Sequence, residues 1–311
     1  MDNDKPSRES SLDDAELAEL MRQYCEQIDQ GAGPEANELG FELLCRVCAK
    51  AQENPTPEMQ LGQQAAACEE TGDWAGALEV RRERLRLAQA SAEPEALFSA
   101  HRALARFHRL TGDGDAALDQ ARRATEAARR TETRVVRIMA LHLHAFEALR
   151  AGRVEEAEAA TAEALAQLQD LTPGGDLMRA KCHLLQAQVR LAEGKDPEAE
   201  ADLNVAQPLF EVRLSDIAAG VHASLARCFS TRARIAMKRG DPRGAIQLWQ
   251  LALARERHVA ALPQVEQPYA RAALAEALRD YAGALKEGGD EAAAGAALAE
   301  ADSIRREMGL T

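Results

Sequence analysis

The sequence predicts an all-α protein, a solenoid of about seven antiparallel helix hairpins in one continuous array. Two observations carry this. First, strong helix formers fill long windows, aromatics make up only 4% of the 311 residues, and β-branched runs are scarce. Second, one register recurs six times. A Gly is followed five residues later by Ala and preceded seven residues earlier by another Ala. The glycines are Gly72, Gly112, Gly152, Gly194, Gly240 and Gly289. The alanines after them are Ala77, Ala117, Ala157, Ala199, Ala245 and Ala294; those before are Ala65, Ala105, Ala145, Ala187, Ala233 and Ala282. The glycines lie 40, 40, 42, 46 and 49 residues apart, within the range of a solenoid repeat.

Each position in the register has a mechanical reason. Gly takes the left-handed conformation that ends a first helix. The Asp one or two residues later (Asp73, Asp113, Asp196, Asp241, Asp290) can cap the second helix. The flanking alanines let the two helices of a hairpin approach closely. Residues 13–52 keep the spacing in degenerate form, with Gly31 and Ala36 in place and Tyr24 where the first Ala would be. Terminal repeats of such arrays are atypical because they cap the stack, so this segment is expected to be a capping hairpin. Residues 1–12 are expected to form a disordered polar tail. The stretch "EVRLSDIAAGVHASLARCFSTRARIAMKRG" predicts one long helix from about residue 213 to 239. Pro263 and Pro268 are expected to break the chain before the last hairpin.

The register resembles that of the tetratricopeptide repeat (TPR) family over residues 57–309. The small–Gly–small pattern, "GDWAGAL" at 72–78 and Leu104 beside Ala105 carry the likeness. The aromatic early in the family's first helix and its closing Pro are absent, and the period exceeds the family's ~34 residues. The longer unit is similar to the repeats of kinesin light chains and of bacterial peptide-responsive regulators. The resemblance implies a right-handed superhelix whose concave groove is lined by the first helix of each hairpin. It also implies a protein- or peptide-binding role, as scaffold or adaptor. The alternative it leaves open is a peptide- or small-molecule-sensing regulator that changes pitch on binding and controls a partner.

Given that groove, positions 13, 10, 6 and 3 before each Gly form a stripe about 120° from the core stripe. Of its 24 residues eight are basic and two acidic, although the chain as a whole has a net charge of −13. The candidate groove residues are Arg102, Arg106, Arg109, His142, Phe146, Lys181, Gln188, Arg227, Arg234 and Arg279. Phe146, Leu149, Leu184 and Leu191 supply apolar anchors. The stripe points to a partner protein or peptide with an acidic, carboxylate-bearing segment, because a guanidinium holds a carboxylate through two parallel hydrogen bonds. The plainer reading is a solvated face of long charged side chains. The chaperone-tail clamp of some relatives needs Asn between its basic residues, and the stripe has none.

A second basic cluster lies on second helices: Arg81, Arg82, Arg84 and Arg86, then Arg122, Arg123, Arg129 and Arg130. Residues 1–70 hold sixteen acidic against five basic side chains, and residues 71–140 ten against thirteen. The cluster is expected to offset the acidic N-terminal cap. A convex docking site or head-to-tail self-association is the alternative.

The acidic balance argues against nucleic acid and anionic membrane as partners. The N-terminus lacks the charged and apolar regions of an export signal, and no apolar run approaches the ~18 residues of a membrane span. A cytoplasmic protein is expected, with its six cysteines reduced. Cys25, Cys45, Cys48 and Cys68 could form a thiolate zinc site. Cys45 and Cys48 nevertheless fall inside a helical apolar pattern, which favours core packing and no cofactor. The histidines show no HExxH spacing, and "TPGGDL" at 172–177 reads as a loop and not a phosphate cradle. No catalytic constellation is expected.

Overall fold

The computed structural model describes Gln23 and residues 55–168, 175–215, 218–263 and 265–310. The chain divides into two units, Met1–Gln60 with Thr172–Gly174, and Leu61–Leu171 with Gly175–Thr311. In the first, Thr56 Oγ1 accepts a hydrogen bond from the Met59 amide at 3.3 Å and starts a helix. The expected tail (1–12) and capping hairpin (13–52) lie outside the described residues, except for helical Gln23.

Twelve helices and no strand are found among the described residues. They are α1 (Pro57–Glu70), α2 (Trp74–Ser91), α3 (Pro94–Thr111), α4 (Gly114–Ala128), α5 (Arg134–Arg150) and α6 (Val154–Leu168). Then come α7 (Asp176–Ala192), α8 (Asp196–Glu211), α9 (Ala219–Lys238), α10 (Pro242–Ala261), α11 (Gln267–Glu287) and α12 (Glu291–Glu307). This is the all-α hairpin array the register predicts.

All six turn glycines adopt positive φ, from 72° at Gly152 to 87° at Gly112. A Cβ on Gly112 would meet nothing within 4 Å, so the requirement there is conformational and not steric. The twelve register alanines are no more than 4% exposed. Each sits where two helix backbones meet, and a larger side chain would force the hairpin open at a cost of about 1–3 kcal/mol.

Asp73, Asp113, Asp241 and Asp290 cap their helices by accepting from the amides of Gly76, Ala116, Gly244 and Ala293 at 2.9–3.0 Å. Asp196 does not, contrary to expectation. The helix starts two residues after the Gly as in the other hairpins, so Lys195 occupies the cap position and Asp196, one place later than its counterparts, begins α8. The long helix expected from 213 to 239 is also corrected: α8 ends at Glu211 and α9 starts at Ala219. The Ser215 carbonyl takes up the Ala218 amide at 2.9 Å and the His222 ring at 3.1 Å, which fixes a turn ahead of α9. The break between α10 and α11 falls where Pro263 and Pro268 place it. Pro268 sits in the first turn of α11, where its missing N–H costs nothing.

The first helices α3, α5, α7 and α9 pack side by side. Leu184 and Leu191, expected as groove anchors, are buried in the core that α7 shares with α8 and α9. Adjacent first helices touch through these positions, so the stripe is not exposed along its whole length.

The last hairpin of the second unit returns to its first. Helix α11 packs on α3. The Trp74 indole N–H donates to the Met308 carbonyl at 3.0 Å. Leu110, Met308 and Leu310 are buried together, flanked by Trp74 and Tyr269. Buried Glu69 accepts from Arg81 Nε at 2.8 Å and from the Tyr269 hydroxyl at 3.2 Å.

Candidate functional site

Because α11 crosses to α3, the inner face of α3, α5, α7 and α9 meets helix α11. Most of the stripe arginines find partners within the chain. Arg106 pairs with Glu266, and its guanidinium lies 4.3 Å from the Tyr269 ring centre. Arg109 pairs with buried Glu147. Arg234 pairs with Asp280 at 2.5 Å. Arg150 reaches Glu276 through both terminal nitrogens, at 2.5 and 3.1 Å. These are neutralised pairs, and a ligand would have to compete with them.

Phe146 is not the open apolar anchor expected. Three guanidiniums cover its ring, Arg227 at 4.6 Å, Arg109 at 5.1 Å and Arg150 at 5.9 Å from the centroid, all within cation–π range. Gln188 accepts from Arg227 at 2.8 Å and donates to Thr231 at 3.3 Å. Arg279 turns to Asp302 of α12 at 2.8 Å and leaves the groove set. The side of α11 that meets α3 and α5 is formed by Glu266, Tyr269 and Glu276. On α11 the stripe offset carries over at Glu276, 13 residues before Gly289, but not at Arg279.

Between these pairs lies a centre of different character: Arg102 on α3, His142 on α5, Lys181 on α7 and Arg227 on α9. Arg102 stands 5.8 Å from the Phe98 ring. Burial lowers its affinity for its proton, as do Arg106 and Arg84, while Glu266 opposes them. Burial, then Arg227 and Arg102, push the Lys181 ammonium down. Among the described residues Lys181 has no hydrogen-bond acceptor and no carboxylate partner. Burial, followed by Arg227 and Lys181, brings the His142 imidazole down to about 3, so the ring is neutral. Burial, then Arg109, brings Arg227 down to about 10. On α10, burial pushes the Glu256 carboxyl up to about 7 against the pull of Arg227, and its Oε2 lacks a hydrogen-bond partner.

Of the ten predicted groove residues, the structure gathers Arg102, His142, Phe146, Lys181, Gln188 and Arg227 around this centre. Arg106, Arg109 and Arg234 lie in neutralised pairs, and Arg279 lies elsewhere. The sequence reading missed Glu147, Arg150, Glu256, Glu266, Tyr269 and Asp280. One of these carried a signal. Glu256 continues the buried line Ala245, Trp249, Ala252 on α10, and a carboxylate on an apolar stripe marks itself. Glu266 and Asp280 gave none, since their partners lie 160 and 46 residues away.

The second basic cluster is paired locally. Arg84 donates to Ser99 at 2.8 Å, Arg86 meets Glu79 and Glu83 at 2.9 Å, and Arg123 meets Asp119 at 2.8 Å. Arg122 grips Glu156 through two bonds of 2.7 Å, and Arg129 lies 3.6 Å from Glu163. Among the described residues the partners of these side chains are array neighbours; the acidic N-terminal segment they are expected to offset lies outside the described residues. Cys68 is free and half-buried, while Cys182 and Cys228 are buried thiols pushed up to about 12 by burial. Cys25, Cys45 and Cys48 lie outside the described residues. Among the described residues no group of three or more His, Cys, Asp or Glu side chains could hold a metal ion. No described helix is long and apolar enough to cross a membrane.

The turn glycines, the buried alanine register and the order of the helices define an all-α repeat of antiparallel helix hairpins. No family model and no curated protein matches the chain. In structure it is similar to BtubC (BKLC) of P. vanneervenii, with 21% identity and a TM-score of 0.49, covering 80% of this chain and 92% of that one. It is also similar to two structures of a candidate kinesin light chain of Podosopora anserina with nearly identical TPR-like repeats. These show 19 and 20% identity and TM-scores of 0.43 and 0.42, covering 70% of this chain and 99% of theirs.

Proposed function

We propose that this chain is a non-catalytic protein-binding scaffold whose inner face docks an acidic segment of a partner protein. One observation carries the reading. Lys181 is a crowded cation with no acceptor among the described residues, and its field is shared by Arg102 and Arg227. A partly buried charge crowded by like charges is unfavourable, and a partner's carboxylate would relieve it. The neutralised pairs on either side fix the arginine geometry in advance, so little side-chain entropy is lost on docking. Such binding rests on charge-assisted hydrogen bonds and weakens with salt.

Fluorescence anisotropy with a labelled Glu/Asp-rich peptide tests this on the full chain. Charge reversal by Arg102→Glu together with Lys181→Glu is expected to weaken binding at least tenfold. Arg122→Glu with Arg129→Glu on the outer face is expected to leave it within about twofold, since exposed charges there act over about one Debye length. Equal loss from both pairs, or no loss from the first, contradicts the reading.

A further inference from the structure

The charges on the inner face do not balance evenly. Arg106, Arg109, Arg150 and Arg234 each hold a carboxylate of their own: Glu266, Glu147, Glu276 and Asp280. Among the described residues Arg102, Lys181 and Arg227 hold none. The Glu266 carboxylate that reaches Arg102 electrostatically is already bound to Arg106. Arg227 has only the neutral amide of Gln188 as a hydrogen-bond acceptor among the described residues. Glu256 faces Arg227 from α10 but is buried away from hydrogen-bond partners.

The three cations stand on α3, α7 and α9. His142 stands among them on α5, close to Lys181 and Arg227. Helices α3, α5, α7 and α9 are successive neighbours in the stack. Three like charges in one partly buried place repel one another and lose hydration. A single carboxylate offsets one of them. A phosphoryl group carries close to two negative charges on a compact body with three strong acceptor oxygens. Two planar guanidiniums and a point-charge ammonium make a donor set suited to it.

We infer that Arg102, Lys181 and Arg227, with His142 between them, form a binding site for a phosphoryl group. The inference rests on the inner-face docking reading and narrows its ligand: the acidic partner segment carries a phosphorylated side chain. A free phosphate ester offers the same chemistry and is separated from it by experiment.

The test uses the full chain and three probes: inorganic phosphate, a phosphoserine-bearing acidic peptide and the same peptide with plain serine. Inorganic phosphate is expected to raise the thermal midpoint by about 2 °C or more over chloride at matched ionic strength. The phosphopeptide is expected to bind at least tenfold tighter than its serine counterpart by calorimetry. Lys181→Met is expected to abolish both effects. It is also expected to raise the ligand-free midpoint, because it removes an uncompensated charge. The Arg122→Met variant, on the outer face, is expected to retain both.

Other results overturn specific parts. If the two peptides bind equally and phosphate gives no stabilisation over chloride, the docking reading stands and the phosphoryl site is wrong. If phosphate stabilises the chain through Lys181 but neither peptide binds more tightly than phosphate, the site stands as one for a free phosphate ester, and the docking reading fails. A ligand-free midpoint that falls in Lys181→Met would show that the charge is already compensated, and the site would be withdrawn.

Discussion

The outer face of α2 and α4 and the inner face of α3 to α9 are both rich in arginine, and the arginines behave differently. On the outer face Arg86, Arg122, Arg123 and Arg129 reach carboxylates one turn away or on the next hairpin, and their side chains stay about half exposed. Water competes for every such pair. On the inner face Arg109 closes on a buried carboxylate and three guanidiniums share the Phe146 ring, whereas Arg106 and Arg234 reach Glu266 and Asp280 of the last hairpin through pairs that stay as open to water as several outer ones. The same side chain is a solvated charge in one place and a structural tie in the other. Depth of burial and the reach of the partner make the difference, not composition.

The comparison breaks most readily at Arg109. Arg109→Met leaves Glu147 buried without its cation, and the full chain is expected to lose about 3 kcal/mol in urea denaturation. A loss below about 1 kcal/mol would make the inner arginines no different from the outer ones. Next comes Glu256. Its folded-state carboxyl titrates near 7, above its ordinary value of 4.5. Below the ordinary value both folded and unfolded chains hold the proton. Between the two values only the unfolded chain gives it up, so stability falls as pH rises through that window and levels off above it. Glu256→Gln is therefore expected to add about 2 kcal/mol at about pH 8 and close to nothing at about pH 4. A gain that is equal at both would contradict the burial of that carboxyl. The smallest effect belongs to Arg122→Met, expected to stay within about 0.5–1 kcal/mol and to fade further in salt.

Much of the fold was legible because its determinants are local. A Gly that must take positive φ, alanines that must be small and an Asp that caps three residues ahead are all written within one hairpin. The errors had local causes too: the Asp after Gly194 stands one place later than its counterparts and so falls inside the helix, and the turn at Ser215 interrupted a helical pattern. The candidate site was legible by halves. The wheel puts Arg102, His142, Lys181 and Arg227 at the same offset on adjacent first helices, and in the structure these side chains lie near one another. It could not foresee that Arg106 would be taken by Glu266, since that pair exists only where the array turns far enough to meet itself. Arg279, one turn on from Glu276, is taken up instead by Asp302 of α12.

That return of the last hairpin underlies the account, because it decides which arginines are already occupied. The contact of Glu69 with Tyr269 joins residues 200 positions apart in a buried setting. A double-mutant cycle with Glu69→Gln and Tyr269→Phe reads it directly. A coupling of about 1.5 kcal/mol is expected from a hydrogen bond to a charged group. Strict additivity, within about 0.3 kcal/mol, would mean that the array does not close on itself and that the inner face is open along its length.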